Sequence, residues 1–270
     1  MRSLTQRMSF CRTLAPAALA LAVLSTPAAA QEGEDRPRRT RVALGPQLQP
    51  RYPGSDEVVV RPFVDVSRAR EGDLFVFEAP DESAGFALLN GSNFSAGFAV
   101  GFQGRRRRQD LGTDLPNVGF TVEAGGFAQF QLAPELRLRA EARRGLGGHN
   151  GFIGDIGADY VARDGDQSLF SIGPRVTLTD GRYQRAYFGV RSEDVARSGL
   201  PAYRPSGGLQ SVGGTAGFLR QLTPRWGFTS FVRYDRLVRD AADSPVVRRF
   251  GSRDQLSGGI AATYTFGGRR

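Results

Sequence analysis

Lysine is absent from the 270-residue chain, so all 36 basic side chains are arginine. Cysteine, histidine and tryptophan occur once each, as Cys11, His149 and Trp226. One thiol and one imidazole exclude a disulfide framework and any Cys/His metal cage. Long apolar runs are scarce too: Leu14 to Leu24 gives only 11 residues, too few for a spanning helix. Residues 83–104 carry no charge and are long enough. They include Asn90, Asn93, Gln103 and five glycines, however, and their apolar positions recur every second residue, which argues against a helix.

What is present begins with an export signal. Arg2, Arg7 and Arg12 precede the apolar stretch, and Ala28-Ala29-Ala30 follows it before Gln31, the layout of a Sec-type signal peptide over residues 1–30 cleaved after Ala30. Cleavage leaves 240 residues with 33 Arg and 27 acids, so the formal charge falls from +9 to +6. It also removes Cys11, which lies ahead of the apolar stretch and so is not a lipoprotein cysteine. The exported chain therefore enters an oxidising compartment without a thiol. Residues 31–41 are polar and aperiodic and read as a short disordered lead-in.

From residue 42 onward the signal has period two. Phe94, Ala96, Phe98, Val100 and Phe102 alternate with small or polar residues, and Leu136, Leu138, Ala140 and Ala142 alternate with Arg137, Arg139, Glu141 and Arg143. A soluble β-sandwich and a membrane barrel both alternate. Runs of about ten residues recurring roughly every twenty fit a tilted membrane strand better than short sandwich strands. Arginine on a strand face fits a watery lumen better than a packed core, and Phe130, Trp226, Tyr264 and Phe266 gather at strand ends as interfacial aromatics do. The fold class is therefore all-β, a transmembrane antiparallel up-and-down β-barrel of about twelve strands, with ten to fourteen allowed. The expected barrel spans 42–266, with strands near 42–51, 58–67, 73–79, 84–90, 93–104, 117–131, 136–145, 151–162, 167–178, 208–221, 226–239 and 255–266; 267–270 is a tail. Proline-marked tight turns at 132–135 and 222–225 belong to the periplasmic side, and longer links at 104–116, 145–151, 179–207 and 240–254 to the outside. Tyr183–Val190 has strand character, but the count assigns it to the long external link.

Several groups are candidates for function. Arg137, Arg139, Glu141, Arg143, Arg175 and Arg233 are expected to line the lumen and, in an open pore, would favour anions. Arg105, Arg106, Arg107 and Arg108 form an external run suited to phosphate, so outer-membrane lipid and lipopolysaccharide are expected contacts, against the alternative of a solvated loop. The link 179–207 either folds inward, pairing Arg182, Arg185, Arg191 or Arg197 with wall carboxylates, or lies outside as a binding surface. His149, among glycines, reads as a turn residue; no G-x-S-x-G elbow accompanies it, and no catalytic, cofactor or metal site is expected. Nucleic acid is not expected as a partner of an exported chain without an aromatic platform.

Seven short strings occur in order along the chain. Tyr52-Pro53-Gly54-Ser55-Asp56 precedes Arg61-Pro62; Tyr187-Phe188-Gly189-Val190 precedes Ser198-Gly199-Leu200; Leu222-Thr223-Pro224-Arg225-Trp226 follows; Asp243-Ser244-Pro245 precedes a last strand ending Tyr264-Thr265-Phe266. The set resembles the MltA-interacting protein (MipA/OmpV) family of Gram-negative outer-membrane proteins over about residues 42 to 266. One departure is that such chains usually stop at the terminal aromatic, whereas this one adds Gly267-Gly268-Arg269-Arg270. The resemblance implies a non-enzymatic outer-membrane barrel with a scaffolding or surface role, its partners a lytic transglycosylase and a penicillin-binding protein of peptidoglycan synthesis. The alternative from the residues is a diffusion channel for small, anionic solutes.

Overall fold

A computed structural model describes residues 36–267. The expected signal peptide, residues 31–35 of the lead-in and Gly268-Arg269-Arg270 lie outside the described residues. The strands are β1 (Arg38–Pro50), β2 (Val58–Arg70), β3 (Ala84–Asn90), β4 (Phe94–Gln103), β5 (Thr121–Ala133), β6 (Leu136–Gly147), β7 (Phe152–Asp164), β8 (Ser168–Thr179), β9 (Gly208–Gln221), β10 (Trp226–Leu237) and β11 (Asp254–Phe266). All pair antiparallel in one curled sheet of order β2-β1-β11-β10-β9-β8-β7-β6-β5-β4-β3. β1 pairs with the last strand from Thr40↔Phe266 to Leu48↔Gly258, which ties the two chain ends together.

Two expectations are corrected. The first strand begins at Arg38 rather than 42, because Arg39 and Arg41 face inward, where Asp166 lies within 2.9 and 3.9 Å of their guanidiniums. The segment expected as a strand at 73–79 is not one; the eleven strands observed among the described residues lie within the expected ten to fourteen.

Burial is inverted relative to a soluble protein. Arg137, Glu123, Asp159 and Arg175 are buried, while Leu44, Val60, Val64, Ile172, Val232 and Ile260 are exposed. Along β6 the alternation is complete, with exposed Leu136, Leu138, Ala140, Ala142 and Arg144 against buried Arg137, Arg139, Glu141, Arg143 and Gly145. An apolar outer face this extensive requires a non-aqueous surrounding, and the polar inner face requires its charges to pair. At the short-turn end, Trp226 stacks edge-on with Tyr264 at 4.7 Å and Tyr264 with Phe266 at 4.6 Å, while Phe94 and Phe130 lie 4.8 Å apart on β4 and β5. Amphipathic rings in this position suit the hydrocarbon–water boundary. No helix among the described residues is long and apolar enough to cross a membrane.

At the other end the long links carry short helices: α1 (Arg108–Leu111), α2 (Gly181–Phe188), a 3₁₀ turn (Ser192–Asp194), α3 (Val195–Ser198), α4 (Arg239–Asp243) and α5 (Pro245–Phe250). The strand-like Tyr183–Val190 lies within this end, as the count required, but it is mostly helical. Asp180 caps α2 by accepting from the Tyr183 N–H at 2.9 Å, and the helix buries Tyr183, Gln184, Tyr187 and Phe188 on one side.

Candidate functional site: a plugged lumen beneath a loop cap

Residues 71–83, between β2 and β3, run through the lumen. Phe75 lies beneath the guanidinium of Arg41 at 4.0 Å, its N–H donates to Asp166 at 3.2 Å, and its carbonyl accepts from Arg163 at 3.1 Å. Further along, the Phe77 carbonyl accepts from Arg137, whose guanidinium sits 4.4 Å over the Phe77 ring. At the far end Asp81 bridges Arg175 on β8 at 2.8 Å and Arg233 on β10 at 3.0 Å. Glu82 pairs with Arg137 and, at 3.7 Å, with Arg139.

Around this segment the inward side chains of the wall form a continuous ionic network. Arg137 and Arg175 share Asp159 at 2.6 and 2.7 Å, Arg139 donates to Glu141 at 2.9 Å, and Arg143 joins Glu141, Glu123 and Asp155, the last two at 3.0 Å. Every lumen charge expected from the sequence is therefore inward and brought together. Of the acids that complete the network, Glu141 alone is among the expected lumen charges. Asp155 and Asp159 share the inward face of β7 and were legible from their spacing on an alternating strand. Asp81 and Glu82 carried no such signal, because the segment before them reads as wall.

Three of the family-like strings, more than fifty residues apart in sequence, meet at the loop end. Gly54 adopts φ +90, and a Cβ there would lie 2.9 Å from Val247 and 3.1 Å from Phe188. Buried Ser244 donates from Oγ to the Phe188 carbonyl at 2.7 Å while accepting the Val246 N–H, so it links α2 to the start of α5. Tyr52, Leu115, Tyr183, Tyr187, Phe188, Val190, Leu237 and Val246 are buried in the same apolar cluster. The strings are thus the joints of a cap, with the tyrosines oriented by their packing. Burial raises the Tyr183 and Tyr187 hydroxyls well above the usual phenol value, and neighbouring negative charge adds to it.

Other expectations change accordingly. Link 179–207 does not pair its arginines with the wall; Arg191 and Arg197 bond Asp194 within the link, and Arg182 and Arg185 are exposed. Burial works to raise the Asp194 carboxyl, yet those two guanidiniums hold it below the usual carboxylate range. In the arginine run, Arg105, Arg107 and Arg108 are exposed, whereas Arg106 points inward and donates to the carbonyls of Tyr187 and Pro116, so it is a strut of the cap rather than a lipid contact. His149 stands in the bend between β6 and β7 and is buried. Its Nδ1 accepts the Gly151 N–H at 3.1 Å and its Nε2 meets Glu123 at 3.0 Å, with Tyr183 against the ring at 4.7 Å. Gly145 is needed beside it, because a Cβ there would come within 2.2 Å of the imidazole. Among the described residues, no group of three or more His, Cys, Asp or Glu is placed to hold a metal ion.

An apolar outer band with an aromatic boundary, a charged interior and a capped loop end define an outer-membrane β-barrel whose lumen is occupied by its own chain. Residues 42–266 match the family described as MltA-interacting protein MipA, and the chain belongs to that family. No curated protein sequence matches it. Similar solved structures include an outer-membrane channel from Pseudomonas putida F1, at 9% identity over 89% of this chain and 99% of that one with TM-score 0.42. Another is the CymD monoaromatic hydrocarbon channel, at 9% identity, 88% and 90% coverage and TM-score 0.37. The outer membrane protein OprG from Pseudomonas aeruginosa has 11% identity, 86% and 97% coverage and TM-score 0.27.

Proposed function

We propose that this barrel works at rest as a closed, non-enzymatic interaction protein of the outer membrane, and that its partner is a lytic transglycosylase acting on peptidoglycan. The observation that carries the closed reading is the lumen. Residues 71–83 cross it, their acids pair with Arg137, Arg139, Arg175 and Arg233, and a buried apolar cluster lies over the loop end. A diffusion pore needs a continuous water-filled path through the wall. The partner reading is supported by the family's description as MltA-interacting; a penicillin-binding protein bridged through the transglycosylase is the extension of the same role. Loop-length asymmetry puts the short-turn end in the periplasm, where exposed Leu132, Pro134, Leu222, Pro224 and Arg225 offer a contact surface. Outside, exposed Arg105, Arg107 and Arg108 suit lipopolysaccharide phosphate. The non-enzymatic reading is supported by His149, both of whose ring nitrogens are already engaged.

The test uses the purified barrel in planar bilayers and in nanodiscs. The proposal expects no steady conductance, and retention of a purified lytic transglycosylase that weakens when Leu132 and Leu222 are both changed to Ser. An ohmic wild-type conductance with no retained enzyme would instead make the protein a channel.

A further inference from the structure

β2 and β3 are the two edges of the sheet and do not pair with each other. Both run from the loop end to the short-turn end: β2 descends from the turn after β1, and β3 descends antiparallel to β4, from Ala84↔Val100 to Asn90↔Ser95. Two strands of the same direction cannot be neighbours in an up-and-down antiparallel wall. Their facing edges also leave rows of backbone donors and acceptors unpaired, which hydrocarbon does not tolerate. What fits between them is one ascending strand.

The chain has one ascending segment at that place in its order, residues 71–83. Its Leu74-Phe75-Val76-Phe77 core is strongly strand-forming. Yet it has been carried across the lumen to the far wall, where Pro80 lies against Gly217 of β9. Leu74 and Val76 remain about half exposed or more, beside a cavity of about 470 Å³ at the short-turn end. The polar bonds that hold the segment there are mostly from arginines: Arg39 to the Asp73 carbonyl, Arg163 to that of Phe75, Arg137 to that of Phe77, Arg175 and Arg233 to Asp81, and Arg137 and Arg139 to Glu82. These are single side-chain contacts, whereas an open edge in hydrocarbon leaves a whole row of backbone groups unpaired.

We propose that residues 71–83 are the twelfth wall strand of this barrel, held inside the lumen in the state described, and that their transfer into the seam between β2 and β3 turns the lumen into a binding chamber for small anions. The transfer closes both edges and moves Asp81 and Glu82 away from the far wall; because neighbours alternate along a strand, it turns one of the two acids outward. Arg137, Arg139, Arg175 and Arg233 then retain Asp159, Glu141 and Asp235 but lose the two acids that complete their pairing. The chamber is reached from the short-turn end, since the cap lies over the other. This goes beyond the closed-state function above, which describes the untransferred form and stands whichever way the experiment falls.

The experiment reports where the segment is. In a Trp226→Phe background, Val76→Trp and Phe77→Trp are made singly, and each protein is placed in vesicles of brominated phosphatidylcholine. In an inserted strand one of these neighbours must face lipid; in the lumen neither does. With the clamp intact both tryptophans are expected to stay unquenched. Adding Asp81→Asn with Glu82→Gln is expected to bring one of them to the quenching shown by Trp226 in the parent. Pro80→Cys with Gly217→Cys, at positions whose side chains would be in contact, is expected to abolish that quenching until dithiothreitol is added. In the clamp variant, Thr215→Cys, buried on the inner face of β9, is expected to react at least tenfold faster with an anionic than with a cationic methanethiosulfonate. Should Asp81→Asn with Glu82→Gln fail to fold, Arg175→Gln with Arg233→Gln releases the same acid from the wall side. Both tryptophans staying shielded in a folded clamp variant overturns the proposal. So does closure of the seam by a second copy, seen as a crosslinked dimer with both still shielded.

Discussion

Single side chains decide two features of this protein, the joints of its cap and the neutrality of its interior. Ser244 satisfies the Val246 N–H and the Phe188 carbonyl at once, so Ser244→Ala removes a helix cap and a buried hydrogen bond together. The expected loss is about 1–2 kcal/mol. It should appear as faster trypsin cleavage within 181–204, where Arg182, Arg185, Arg191 and Arg197 supply sites, with the barrel core uncut. Gly54→Ala acts at the same joint through strain, because φ +90 and the 2.9 Å approach to Val247 both oppose a Cβ; it should be at least as damaging as Ser244→Ala in that assay. Arg137 stands differently. It is 1% exposed between Asp159 and Glu82, so Arg137→Met leaves two buried carboxylates short of a partner. Removing one member of a buried pair costs about 3–5 kcal/mol, and a matching drop in urea midpoint is expected. Restoring balance with Asp159→Asn alongside should recover part of that drop, which separates charge imbalance from lost packing.

Among the elements, wall strands and cap were legible in the sequence to very different degrees. Strand positions followed from period two because each wall strand has lipid on one side and lumen on the other, so register is imposed at every residue. The segment 84–90 and the segment 208–221 coincide with β3 and β9 to the residue. The segment 73–79 failed for an identifiable reason: Asp73-Leu74-Phe75-Val76-Phe77 has the composition of wall, and what holds it inside is a set of arginines from distant strands that no local pattern reveals. The cap was hidden for a similar reason, since Tyr52, Phe188 and Val246 are separated by long stretches and meet only when the sheet curls. Its chemistry still yields a pH prediction. Burial holds the Tyr52, Tyr183 and Tyr187 hydroxyls protonated beyond the usual phenol value near 10. The folded pKa lies above the unfolded one, so this contribution is fully present below pH 10 and is lost as pH rises past it, the unfolded chain releasing its protons first. Absorbance at 295 nm should therefore show a late tyrosinate phase that coincides with trypsin access to 181–204, and Tyr183→Phe should remove part of that phase.

At the scale of the whole molecule, the inversion of inside and outside is the property on which every other one depends. Val232 and Arg233 are adjacent in β10, yet Val232 is 50% exposed on the outer face while Arg233 joins Asp81 and Asp235 within. In a water-soluble protein an arginine at an exposed position such as Val232 costs little. In a barrel surrounded by hydrocarbon the same Val232→Arg change places a charge near the mid-height of a twelve-residue strand against lipid, at a cost of about 2–4 kcal/mol. Val232→Ala should cost well under that, because no packed neighbour on the outer face loses a partner. The measurement is reversible urea unfolding in phospholipid vesicles, with both variants referred to wild type. Equal stabilities for Val232→Arg and Val232→Ala would mean that the outer face meets water, and the membrane reading would fall with it. A large penalty confined to arginine, repeated at Ile172 and Val64 but absent at Leu222 in the short-turn rim, would map the apolar band strand by strand and fix its height from energetics alone.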